Sequence, residues 1–279
     1  MAENTPSNLE RTVRKRFTEL FENDKKIEIV YKKIRQGRAT YADALSFSKE
    51  IGTILANVFQ TVDLNPANIA ELTNYIIENA MTQNIALSNL VCESVQSTLN
   101  EAAGIGLNPV RPDMGVSSGK IKGIRRLVEE AEDEHAIKVV LKEPIITNVM
   151  QNVDDWVKTN ADFQAEAGMK PVIVRTWSGA YPSHDTKHTD WCEDLAGTFE
   201  YGKEPEDVYK RHEGCRCTVE YFPNKIAKGR ITALSKGEKD TNRVLWNTGG
   251  SKKQQAVIDQ RRVVTGKDEA QKVLSAAWS

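Results

Sequence analysis

The period of the hydrophobic pattern changes once along this chain, after Gly168, and the change limits the folds open to it. Before Gly168, apolar residues recur three or four positions apart with charges between them. That spacing gathers side chains on one face of a helix. After Gly168 the apolar runs are short, β-branched and alternating, as in half-buried strands. The expected fold is α+β: a helical N-terminal region, then a small mixed α+β domain with a short antiparallel sheet.

The helical part is expected from Ser7 to Asn100. Val13, Phe17, Leu20 and Phe21 form a first stripe, and Leu45, Ile51, Ile54, Leu55, Val58 and Phe59 a second. Asn65-Pro66 marks a helix start, because proline suits the first turn. Apolar positions from Ile69 to Val91 carry a long third run. Glycines 104 and 106 and Pro109 break it, and the stretch to Gly119 reads as a loop. These breaks divide the chain into a helical arm or bundle (1–108), a Cys/His-containing α+β domain (109–223) and a polar, basic extension (224–279). Two more helices are expected, over 121–140 and 145–167, with Gly168 as the C-cap. The acidic block Glu129, Glu130, Glu132, Asp133 and Glu134 reads as a solvated helix face. Strands are expected over 171–177, 198–201 and 217–222.

Charge narrows the classes of function. The 279 residues carry a net charge of −1, so a globally basic nucleic-acid binder is excluded. Local basic patches remain open: the extension beyond Pro223 holds 12 cations against 5 acids. No apolar run reaches the roughly 18 residues that a membrane span needs. The first 17 residues lack the apolar segment of a secretory signal, so synthesis in a reducing cytoplasm is expected.

Three of the four cysteines and three of the four histidines fall between His184 and Cys217. His184, His188 and Cys192 are four apart and share a face if that segment is helical. Cys215 and Cys217 are two apart, so in a strand their sulfurs share a face and are badly placed to bond each other. Clustered cysteines in a cytosolic chain point to metal or redox chemistry. His188, Cys192, His212, Cys215 and Cys217 are the candidate ligands of a zinc ion, in Cys₃His or Cys₂His₂ fashion. A small core of buried thiols, or a disulfide from Cys192 to the C-x-C pair, is the alternative. A thiol nucleophile would need Cys192 and His212 to meet in a cleft. No P-loop, G-x-S-x-G, dinucleotide fingerprint or H-E-x-x-H occurs, and no catalytic role is expected.

Trp191 to Phe199 and Val208 to Tyr221 together carry a C-x-x-L-x-G turn (Cys192, Leu195, Gly197), a spacer, then a histidine and a C-x-C (His212, Cys215, Cys217). This pattern resembles the C-terminal domain of phage minor head proteins, the Mu F-like head-morphogenesis family of tailed bacteriophages. It covers about 50 residues of the second domain, and the N-terminal half is similar only in being helical. Many members have a further cysteine three residues before the first motif cysteine, where this chain has Thr189. The resemblance implies a virion protein without catalytic activity, present in several copies inside the head near the portal. Its implied partners are the portal and the major capsid or scaffold proteins, and its implied role is in assembly and genome packaging or delivery. A basic tail against packaged double-stranded DNA is compatible with that role. The alternative reading is a zinc-stabilised nucleic-acid-binding protein that uses the tail, with Trp246 and Trp278 as stacking residues.

Overall fold

The computed structural model describes residues 7–102, 108–112, 116–166, 169–178 and 189–222. The basic extension, His184, His188 and Gly168 lie outside them.

Local sequence accounts for most helix starts. Helix α1 (Asn8–Glu22) is capped by Ser7, whose hydroxyl accepts from the Glu10 amide at 3.0 Å. Helix α2 (Lys25–Arg35) is capped by Asp24. Helix α3 (Tyr41–Thr61) begins with a reciprocal capping box between Thr40 and Asp43. Asn65 and Pro66 start α4 (Pro66–Glu71) as expected, the Asn65 side chain accepting from the Asn68 amide at 3.0 Å. A π-helical turn (Leu72–Ile76) joins α4 to α5 (Ile77–Ala102).

The next two helices divide differently from the sequence reading. Helix α6 runs Ser118–Glu129 and α7 runs Glu134–Glu166 with Pro144 inside it. The break falls in the acidic block, not near Pro144. Asp133 accepts from the Ala136 amide at 2.7 Å and starts α7, so part of that block is a turn and a cap, not a helix face. Pro144 forfeits one backbone bond, yet burial of Leu141, Ile145, Ile146 and Val149 around it carries the helix through.

The three strands, β1 (Val172–Thr176), β2 (Gly197–Glu200) and β3 (Thr218–Phe222), form an antiparallel sheet in the order β2-β1-β3. A short helix α8 (Thr189–Asp194) precedes β2, and a 3₁₀ turn (Glu206–Tyr209) lies between β2 and β3. The sheet matches the expected strands to within a residue or two at each end. Ile173 pairs with Phe199 on one side and Tyr221 on the other.

One hydrophobic core runs from Leu9 to Tyr221 and takes in residues of α1, α2, α3, α5, α6 and α7 and one face of the sheet. Its widest interface is α3 against α7. The helices meet closely at Gly52, where a Cβ would stand 2.9 Å from the Ile146 Cα and 2.9 Å from the Val149 Cγ1.

Between α5 and α7 the interior is polar. Asn84, Ser88, Cys92, Gln96 and Asn100 recur every four residues along α5, and all are buried. Asn148, Asn152, Trp156, Asn160 and Gln164 recur likewise along α7, and all are buried. The two files interlock. Asn152 donates to Ser88 Oγ at 3.0 Å and Asn89 Oδ1 at 2.9 Å, and Trp156 Nε1 donates to the same Asn89 oxygen at 2.7 Å. Gln164 donates to Asn100 Oδ1 at 3.0 Å and to the Tyr221 hydroxyl at 2.9 Å, which brings the sheet into the network. Asn160 holds both backbone groups of Val110, at 2.9 and 2.8 Å, and so ties down the connection that follows α5.

These bonds fix the register of α7 because a slip by one residue would leave several buried amides unpaired. Asn152→Leu should lower unfolding free energy by about 2–3 kcal/mol, since it strands the Ser88 and Asn89 groups. Gly52→Ala should cost about 1–3 kcal/mol by pushing α3 off α7. Urea titration of both variants checks this; near-wild-type midpoints would contradict it.

Candidate metal centre

The two motif halves, 15 residues apart from Gly197 to His212, meet beside Arg175 of β1. Cys192 comes from α8. His212, Cys215 and Cys217 come from the segment entering β3, with Cys217 one position before the strand begins. The three thiols are buried, at 5, 2 and 1% exposure, and form a cluster of their own, flanked by Trp177 and Trp191. Cys92 lies elsewhere, in the helical core beside Ser88.

The geometry is compact. Cys192 Sγ lies 3.8 Å from Cys215 Sγ and 3.0 Å from His212 Nε2. The ligand atoms of Cys192, His212 and Cys215 all lie within 4.8 Å of one another, so this trio could hold a metal ion. All four cysteines are free thiols. The Nδ1 of His212 faces the Glu213 carbonyl at 2.6 Å. A carbonyl only accepts, so Nδ1 carries a proton, which leaves Nε2, facing Cys192, as the nitrogen that could ligate a metal. Trp191 packs edge-on against that ring, with centroids 5.7 Å apart. His188 lies outside the described residues.

Two turns shape the ligand loops. Gly214 has φ +77°, a conformation that glycine adopts without strain, and the turn returns the Cys215 amide to the His212 carbonyl at 3.1 Å. At Gly197 a Cβ would meet the Phe199 ring at 2.8 Å, which accounts for the glycine that closes the C-x-x-L-x-G turn.

The surrounding charges were not evident from the motif. Arg175, on the central strand, is 2% exposed. It donates to the carbonyls of Val208 and Lys210, sits over the Trp191 ring at 5.4 Å, and lies 4.0 and 3.8 Å from the sulfurs of Cys192 and Cys215. Among the described residues no carboxylate forms an ion pair with it. Arg211 is fully buried, as is its partner Asp154 on α7. It donates to both Asp154 oxygens, to the Cys217 carbonyl at 2.8 Å, and toward Cys215 Sγ at 4.0 Å. One face of α7 grips the whole loop: Gln151 donates to the Tyr209 carbonyl at 2.9 Å, and Glu143 receives Arg216 at 2.8 and 3.1 Å. Alternating polarity revealed the strands, but an arginine inside a strand and an aspartate inside a helix carry no mark of burial in sequence.

This environment splits the thiols. Burial and the neighbouring Cys215 push Cys192 above the usual thiol range. The hydrogen bond with Cys217, then burial, pushes Cys215 up, while the same bond pulls Cys217 down to about 7 against its burial. A cation bound here would displace the protons that Cys192 and Cys215 hold, since thiolate ligands are deprotonated. Burial pushes Asp154 up to about 6 even with Arg211 beside it.

That shift predicts a pH signature. Folded Asp154 keeps its proton up to about 6, whereas the unfolded side chain releases it near 3.8. Between those values the folded state binds more protons, so this group's contribution to stability falls as pH rises through the window and is level above it. The stability of wild type relative to Asp154→Asn should move against the wild type from about pH 4 to about pH 6.5. Urea melts at intervals of pH test it, and a constant difference would contradict the assignment.

Comparison of the chain with protein-family models, with curated proteins and with solved structures gives no match.

Proposed function

We propose that this chain is a structural minor head protein of a tailed bacteriophage, placed inside the head near the portal, where it assists head assembly and genome packaging or delivery. The observation that supports this reading is the meeting of the two motif halves. Cys192, with Leu195 and Gly197 behind it, lies against His212 and Cys215, although 20 residues separate Cys192 from His212. A resemblance in two separated segments gains weight when both build one site. The role is structural: the cluster is buried under Trp177 and Trp191. Portal and major capsid or scaffold proteins are the partners of this reading, with packaged DNA within reach of the basic extension. Among the described residues no helix is long and apolar enough to cross a membrane.

The metal of this reading is zinc, held by Cys192, His212 and Cys215, with Cys217 adjoining. Its usual Zn–S distance of about 2.3 Å gives a tetrahedral sulfur–sulfur edge of about 3.8 Å, and the Cys192–Cys215 separation is 3.8 Å. The sulfur–nitrogen pair at 3.0 Å would open by about half an ångström to reach its own tetrahedral edge. Charge favours the same ion. Arg175 is a buried cation that acts on Asp154 from a distance and lies 3.8 Å from the Cys215 sulfur, so thiolates on a divalent cation would place negative charge directly beside it. Zinc there would cross-link α8 to the segment entering β3.

Cys192→Ser should lower the melting temperature by about 5 °C or more, since a lost structural metal costs several kcal/mol. Cys92→Ser should change it little. Chelator should lower the wild-type value toward that of Cys192→Ser; a wild type indifferent to chelator but sensitive to reductant would replace zinc by a disulfide. The virion assignment is tested by mass spectrometry of purified heads and tails. The chain is expected in heads. Its absence from both, with the protein found only free in infected cells, would exclude a virion role.

A further inference from the structure

Two surface patches of opposite charge, each with an exposed aliphatic residue, lie at different levels of the helical body. The first is on α2, whose whole length holds five cations and one acid, Glu28. Lys26 and Lys33 pair with Glu50 and Asp43 of α3. Lys25, Lys32 and, just beyond the helix, Arg38 are exposed and form no ion pair among the described residues. Ile29 is 54% exposed and shares a helical stripe with Lys25 and Lys32.

The second patch is the corner between α6 and α7. Glu130 and Glu134 pair with Arg126 and Lys138. Glu129, Glu132 and Asp133 are exposed and form no ion pair among the described residues. Val139, on the second turn of α7, is 57% exposed.

The patches cannot neutralise each other within one molecule. The Lys26–Glu50 and Lys33–Asp43 pairs set α2 beside the first half of α3. Gln60, near the other end of α3, donates to the Lys138 carbonyl at 2.5 Å and sets the start of α7 there. The ten residues from Glu50 to Gln60 alone span about 15 Å of helix, more than the roughly 10 Å over which exposed charges act at 0.1 M salt.

We propose that copies of this chain associate head to tail, the α2 face of one seated on the α6–α7 corner of the next. The occupant is a second copy because both halves of a complementary pair stand unmatched on the same chain. Ile29 against Val139 supplies the apolar centre, and the lysines against Glu129 and Glu132 supply the rim. Two different patches meet, so the contact is heterologous and repeats around a ring or along a filament. This holds whether or not the protein is a virion component.

The test is sedimentation of the full-length chain over a concentration series. Association should appear at about 50 mM salt and weaken at least tenfold by about 500 mM. Lys25→Glu with Lys32→Glu, and separately Glu129→Lys with Glu132→Lys, should each weaken it about tenfold or more. An equimolar mixture of the two variants should restore association to within about threefold of wild type, because the reversed charges again face opposites. Thermal melts check that both variants fold, and rescue in the mixture cannot arise from misfolding. A wild type that stays monomeric, or a mixture no better than its components, would overturn the proposal. Loss with Glu129→Lys and Glu132→Lys alone, and none with the α2 changes, would give the corner to the basic extension instead. Duplex DNA bound through Lys25 and Lys32 by a monomer would give the stripe to nucleic acid.

Discussion

The ion pair between Arg211 and Asp154 joins the helical body to the cysteine cluster with both side chains out of water. Neither partner could be buried alone: an unpaired internal charge costs several kcal/mol. The pair therefore sets where the segment 209–217 can lie. Arg211 spends its remaining donors on the Cys217 carbonyl and toward Cys215. The ligand loop is thus positioned from a helix, which holds geometry more closely than a loop held by its own turns.

That arrangement works only if α7 itself cannot rotate or slide. Two stripes on the helix meet this need. Asn148, Asn152, Trp156, Asn160 and Gln164 face the interior, four of them with hydrogen bonds that reach α5, the connection after it or the sheet. Glu143, Gln151 and Asp154 hold the loop on another face. An all-apolar interface between α5 and α7 would tolerate small shifts. A ladder of amides does not, because each step breaks directional bonds. The stability given up by burying amides is offset by a defined register for the site.

Much of this was legible in the sequence. The change of period after Gly168 marked the sheet, and Asn65-Pro66 marked a helix start. The clustering of Cys192, His212, Cys215 and Cys217 marked the site. The division of α6 from α7 was misjudged because proline is a strong local signal, whereas the Asp133 cap acts through one hydrogen bond. The amide ladders were hidden in plain view: a four-residue recurrence of Asn and Gln matches helical geometry, but polar residues at that spacing read as a solvated face. Arg175 and Asp154 were illegible for a related reason. Their burial depends on partners far along the chain, and no local pattern encodes a partner.

The central claim is that the helical body presents Cys192, His212 and Cys215 to a single zinc ion. X-ray absorption at the zinc edge, on full-length protein purified without added metal or chelator, tests it directly. The account predicts stoichiometric zinc with two or three sulfurs at about 2.3 Å and a nitrogen shell at about 2.0 Å. Zinc ringed only by oxygen and nitrogen, or protein without zinc that keeps its full thermal stability, would contradict it.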